Sequence, residues 1–245
     1  RTVRIFVSAH NSRVGGGISV AKNLLRALAA AFPGHEFLCT VPRGLGFEGL
    51  GAGENFRCLP FEHRSLPQRL AWERVRLPEL AAGFRPDAVF NMANRGFVRP
   101  PAPQATLVQD PHLFYPSGQF GRVSPQSRAV FLANQLHFRR TLGRTEALFC
   151  QTEVARRRLA ETYRPECRIE IVPNQLSLDV AASEAGGEVV SSRTRYFKTA
   201  PPADTKKPTS ESCINSAYVA NSVPLAYFCT IAISLNEEYI NSSQT

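Results

Sequence analysis

Residues 3–41 read VRIFVSAHNSRVGGGISVAKNLLRALAAAFPGHEFLCTV, and this stretch decides the fold. Residues 3–8 are a short apolar run that ends in small polar residues. Gly15, Gly16 and Gly17 follow, and over residues 18–32 apolar side chains recur at helical spacing. Pro33 and Gly34 stop the helix, after which residues 36–41 (EFLCTV) supply a second apolar strand. Strand, glycine loop, helix and strand outline a βαβ unit, whose right-handed crossover makes its two strands parallel.

The same alternation continues outward. Residues 44–54 read as a glycine-rich loop and residues 56–61 as a third strand. An amphipathic helix is expected over 66–84, with Arg69, Arg74 and Arg76 opposite Leu70, Val75, Leu77 and Leu80, and Pro78 predicts a kink or a split into two. Strands follow at 88–92 and 104–108, a long helix at 125–142, and a strand at 147–150. A helix over 153–163, capped by Thr152, leads to a last strand at 168–172. Strands and helices alternating this regularly predict an α/β fold with a Rossmann-like, doubly wound parallel sheet.

Composition divides the 245 residues at about position 180. The first 180 residues hold 23 of the 25 arginines but one lysine, Lys22, and their 24 basic against 14 acidic residues leave +10. From Glu188 onward there is no glycine, and 19 of the 58 residues are Ser, Thr or Asn, a linker-like bias. The expectation is one Rossmann-like domain over 1–180 and an atypical, poorly structured tail over 181–245, from truncation or fusion. A basic domain attracts nucleic acid, anionic membrane or phosphorylated small molecules. No zinc spacing, helix-turn-helix signature or aromatic-interleaved basic sheet supports nucleic acid. Cys39, Cys58, Cys150, Cys167, Cys213 and Cys229 contain no C-x-x-C pair and read as reduced thiols. With no secretory segment and no long apolar run, a cytoplasmic location is expected, with peripheral contact on the inner membrane face left open.

Two places could carry chemistry. Glycines at the start of a helix let a phosphate approach exposed backbone N–H groups, so Gly15, Gly16 and Gly17 form a candidate anion site, the alternative being a turn without ligand. They are not a dinucleotide fingerprint, since Val20 stands where the third glycine belongs and no acidic residue ends the second strand. Ligands of doubly wound sheets bind beyond the carboxyl ends of the strands, where Asn91, Asn94, Asp110 and His112 fall. His112 suits a hydrogen bond to a sugar hydroxyl, and Asp110 could orient an acceptor or the histidine. The plain alternative is that Asp110 caps a turn and His112 is a polar loop residue. The clusters Arg139-Arg140 and Arg156-Arg157-Arg158 read as solvated helix faces.

Four pieces then occur in order: GGGISVAKNLLRAL from 15, RPDAVFNMANRG from 85, ATLVQDPHLFYP from 105, and ALFCQTEVARRRLAETYRPECRIEIVPNQ from 147. Together they resemble the N-terminal, acceptor-side domain of retaining, family-4-type GT-B glycosyltransferases. The resemblance implies that Gly15, Gly16 and Gly17 approach the donor diphosphate. It also places Asp110 and His112 where a His/Asp pair lies near the reacting sugar, and Thr152 and Glu153 where a Ser-Glu pair starts a helix at the cleft. The usual Asn-Gly after the last strand is Asn174-Gln175 here, and 65 residues are too few for a second Rossmann domain of ~150.

The implied activity is transfer of a hexosyl, mannosyl-type unit from a nucleotide sugar to a glycan or lipid-linked acceptor, as in polysaccharide biosynthesis, with no metal or other cofactor. The chain is expected to lack the donor-binding domain. A non-catalytic remnant that binds glycan or an anionic membrane is the alternative.

Overall fold

A computed structural model describes residues 2–50, 55–62, 65–92, 94–115 and 124–172. The tail over 181–245, the boundary at 180, Asn174-Gln175, Cys213 and Cys229 lie outside them. Seven strands form one parallel sheet among these residues: β1 (Arg4–Ser8), β2 (Glu36–Pro42), β3 (Phe56–Phe61), β4 (Ala88–Asn91), β5 (Gln104–Val108), β6 (Thr145–Cys150) and β7 (Arg168–Ile171). Their order is β3-β2-β1-β4-β5-β6-β7, so the chain works outward from β1 to one edge, then crosses to β4 and works outward to the other. This is the expected doubly wound, Rossmann-like arrangement.

Each helix starts where its sequence supplies a start. α1 (Gly16–Ala31) follows Gly15, which sits at φ 56°, and turns Ala21, Leu25 and Leu28 inward. Ser65, Ser124 and Thr152 cap α2 (Leu66–Arg74), α4 (Pro125–Leu142) and α5 (Glu153–Tyr163) by accepting from the N–H of Gln68, Ser127 and Ala155. α3 (Arg76–Phe84) is separate from α2. Pro78 would have met the carbonyl of Arg74 and offered it no N–H, so the chain breaks at Val75, before the proline.

Alternate residues of the central strands point to opposite faces and find different partners. Ile5, Val7, Phe37, Phe90, Leu107 and Phe149 pack with Leu25 and Leu28 of α1 and with Phe47. Phe6, Leu38 and Val89 meet Leu77, Ala81 and Phe84 of α3, together with Phe97. Val108, Leu148 and Cys150 meet Phe138 of α4 and Leu159 of α5. Each fully buried Phe or Leu contributes about 1.5–3 kcal/mol of transfer free energy, so this two-sided core fixes the register of the strands.

The expectation for α2 needs correction. Leu70 is half-buried as expected, but so are Arg69, Trp72 and Glu73, while Val75, expected on the apolar side, is exposed. The apolar spacing that holds is that of α3 alone, Leu77, Ala81 and Phe84.

Candidate functional site

The chain order reverses between β1 and β4, and at their carboxyl ends a doubly wound sheet leaves a crevice. Gly15 opens α1 there with no side-chain cap, and the first turn of α1 holds no acidic residue. The first N–H groups of a helix lack intrahelical acceptors, so this end of α1 is open to an anion. A Cβ on Gly17 would lie 3.9 Å from Gln109 Oε1, whereas one on Gly15 or Gly16 would meet nothing within 4 Å. Gln109 Nε2 is buried without a hydrogen-bond partner among the described residues, on the same amide whose Oε1 approaches Gly17. Sequence reading passed over Gln109, although it stands directly before Asp110.

The segment after β5 is held from behind. Asn94, at φ 70°, accepts from the backbone N–H groups of Gln109 and Asp110 with its Oδ1. Asp110 Oδ1 in turn accepts from the N–H of His112 at 3.0 Å and caps a single 3-10 turn, Pro111–Leu113. The ring of His112 lies flat on Phe131, with centroids 3.6 Å apart, and its carbonyl accepts from Gln135 of α4. Gln109 thus links the glycine loop to the segment after β5 that carries Asp110 and His112. Asn94 and Asp110 act on the backbone that carries them.

Other expected residues are placed differently. Asn91 is completely buried, and its Nδ2 donates to Gln104 Oε1 and to the carbonyl of Ala105, while its Oδ1 has no partner among the described residues. Thr152 spends its hydroxyl on the cap of α5, and Glu153 is exposed in a bidentate pair with Arg156. Neither makes a hydrogen bond or ion pair with the glycine-loop group among the described residues. Arg157 and Arg158 reach Glu161 on the same helix; Arg157 is exposed, whereas Arg158 is half-buried, with its guanidinium 6.0 Å from the centre of the Tyr115 ring.

A second cluster, missed by sequence reading, lies at the same end of the sheet. His10, two residues after the end of β1, is 2% exposed. Its Nδ1 faces the hydroxyls of Ser8 and Thr40, and its Nε2 faces Glu73 Oε1 at 3.4 Å. Glu73 also accepts from Asn11 Nδ2 at 3.0 Å, Arg69 Nε at 2.8 Å and Arg95 at 3.0 Å. Burial lowers the pKa of His10 against the pull of Glu73, so the ring is neutral at pH 7. Burial works to raise Glu73, but the His10 hydrogen bond and the charges of Arg95 and Arg69 outweigh it and hold the carboxyl far below the ordinary range. The only sequence signal was Arg69 and Glu73 at i, i+4, a spacing that usually marks a surface pair.

No group of three or more His, Cys, Asp or Glu side chains that could hold a metal occurs among the described residues, nor a helix long and apolar enough to cross a membrane. Cys39, Cys58, Cys150 and Cys167 are free thiols.

Comparison with known proteins places these observations. A UDP-N-acetylglucosamine 2-epimerase structure matches with a TM-score of 0.47 and 14% identity over 71% of this chain and 49% of its own. The UDP-GlcNAc 2-epimerase from Neisseria meningitidis, bound to UDP-GlcNAc, gives 0.46 and 11% over 78% and 51%. The E. coli heptosyltransferase WaaC with ADP gives 0.30 and 16% over 75% and 78%. The chain spans about half the length of the two epimerases. No curated protein matches it. Residues 14–180 match the sequence model of Glycosyltransferase Family 4, and the chain belongs to that family.

Proposed function

We propose that residues 1–180 form the acceptor-side half of a retaining glycosyltransferase, which moves a hexosyl, mannosyl-type unit from a nucleotide sugar to a glycan or lipid-linked acceptor in the cytoplasm. The observation that carries this reading is the open start of α1 at Gly15, uncapped and without an acidic residue, facing the uncommitted amide of Gln109. Backbone N–H groups of Gly16 and Gly17 would receive the donor diphosphate as negative charge builds on it, with no reorganisation at the moment of bond breaking. Gln109 Nε2 would donate to the same phosphates or to the transferred sugar, and the His112 ring, fixed by Phe131, would contact that sugar. Asp110 and Asn94 would be positioning residues that hold this turn. Membership of the family supports sugar transfer as the activity.

A second reading, attachment to an anionic membrane, draws on α4. Leu132 and Leu136 are exposed opposite the packed side of α4, which ends in Arg139 and Arg140 and contains no acidic residue.

Calorimetric titration of a nucleotide-sugar panel onto the protein, with Gly17→Leu as the test variant, decides between them. Leucine would fill the space toward Gln109, and loss of binding by about tenfold or more is expected, equivalent to ~1.4 kcal/mol. Donor binding that survives Gly17→Leu, or binding to anionic vesicles with none to any nucleotide sugar, would overturn the transferase reading.

A further inference from the structure

The Glu73 cluster does not balance its charge. Glu73 is one carboxylate, 10% exposed, already accepting from His10, Asn11, Arg69 and Arg95. His10 is neutral, so Arg69 and Arg95 alone leave the cluster one positive charge in excess. Arg13 adds another. Its Nε donates to the carbonyl of His10 and one terminal nitrogen to the carbonyl of Phe61 at 2.8 Å, both uncharged acceptors. Glu62 lies within electrostatic reach of Arg13 but stands exposed beside Arg43 at 3.9 Å.

Arg13 and Arg69 reach one cluster, Arg13 through the carbonyl of His10 and Arg69 through Glu73, which faces His10 Nε2. Phe61, whose carbonyl holds Arg13, stacks on Trp72 of α2 with centroids 3.7 Å apart, and Arg69 lies one turn before Glu73 on that helix. Burial, followed by the charge of Arg69, lowers the pKa of Arg13, as like charges held together require. Arg69 commits only Nε to Glu73, and its terminal nitrogens have no partner among the described residues. Ser12 Oγ and Asn11 Oδ1, in the segment that joins β1 to Arg13, are buried and also without partners there. Partly buried guanidinium groups in excess over carboxylate are costly unless an anion completes the set, and their planar forks suit a phosphate.

We propose that Arg13 and Arg69, with the Ser12 hydroxyl, form an oxyanion subsite that takes a phosphate group carried by the acceptor. Glu73 and Arg95 are positioning residues, holding Arg69 and the segment before the glycine loop. The proposal rests on the acceptor-side reading above, and places the phosphate on the β1–α2 side of the glycine loop rather than on the loop itself.

Trp72 is the sole tryptophan, so its fluorescence reports on this site directly. Glucose 6-phosphate is titrated against glucose, and phosphatidylcholine vesicles with phosphatidic acid against vesicles without it. A saturable change with either phosphate-bearing probe and none with its neutral counterpart is expected, and the responding probe tells a soluble sugar phosphate from a lipid headgroup. Arg13→Gln and Arg69→Gln should each weaken binding about tenfold or more, the scale of one charge-assisted hydrogen bond. Arg69→Lys should restore part of it, and Arg168→Gln, on β7 at the far edge of the sheet, should leave it unchanged. Binding as tight as wild type in both Arg13→Gln and Arg69→Gln, or no response to either probe, overturns the subsite. A protein that binds nucleotide sugar yet ignores both probes loses only this proposal. One that shows the Arg69-dependent response yet binds no nucleotide sugar keeps the subsite and loses the transferase reading.

Discussion

Replacing Glu73 with glutamine tests whether the buried cluster holds the crevice together. The variant keeps the shape of the side chain and one acceptor oxygen, but removes the charge that Arg69 and Arg95 meet at 2.8 and 3.0 Å. Removing one partner of a buried pair costs about 3–5 kcal/mol, because the remaining charge is left desolvated. Arg69 is 25% exposed and Arg95 17%, so water recovers part of this, and the lower end, about 3 kcal/mol, is expected. In a domain of this size that lowers Tm by roughly 6–12 °C. Urea unfolding followed by Trp72 fluorescence is the assay, since the indole lies 4.8 Å from the His10 ring and senses the site as well as the fold. Arg95→Gln in the Glu73→Gln background should cost less than the two changes summed, because one uncompensated charge is gone. A loss below about 1 kcal/mol with an unchanged denaturant slope would refute the reasoning, since the cluster would then be no more than an exposed ion pair.

Two further outcomes follow from the same geometry. The pKa of His10 is lowered in the folded state, so below the unfolded value of 6.5 the unfolded chain binds the proton that the folded chain refuses. His137 is lowered too, by burial and the charge of Arg95. Stability should therefore hold above about pH 6.5 and fall as the pH drops below it, with Glu73 adding a second loss below its unfolded value of 4.5. His10→Asn should flatten the first decline in urea midpoints measured across that range, and an unchanged slope would contradict a neutral buried His10. Gly96→Ala would bring a Cβ to 3.1 Å from Gln104 Oε1 and 3.3 Å from the Thr141 Cβ. It should cost about 1–3 kcal/mol by overpacking, read from the shift in urea midpoint, while Gly16→Ala, with nothing within 4 Å, should cost nothing measurable.

Legibility followed sequence distance. β3, β5, α4 and α5 begin and end where their local patterns predict, and Thr152 caps as expected, because turn residues, caps and apolar spacing all act within a few positions. The glycine loop was legible for the same reason. The Glu73 cluster was not, since it joins His10, Arg69 and Arg95 across 63 and 22 positions, and no local pattern distinguishes a buried arginine from a solvated one. Helical periodicity also misread α2, because it assumes that the inward face is apolar. Here that face is an ion cluster roofed by Trp72.

Asn91 shows a different limit. A polar residue at the carboxyl end of a strand is a reasonable ligand contact, yet here it serves the crossover that follows it. Among the described residues between β4 and β5 there is no helix, so their backbone groups find partners elsewhere. Instead the segment runs back along β5: Asn94 N–H reaches the carbonyl of Leu107, and the amide of Gln104 pairs both the N–H and the carbonyl of Phe97. Asn91 fixes that Gln104 amide at 2.9 Å, and Gly96 lets the returning backbone approach it. The same segment carries Asn94, which holds Gln109 and Asp110, and Arg95, which holds Glu73. This crossover therefore sets both the turn beside the glycine loop and the arginine cluster beyond it, and the buried polar residues of β4 and β5 hold the crossover in place.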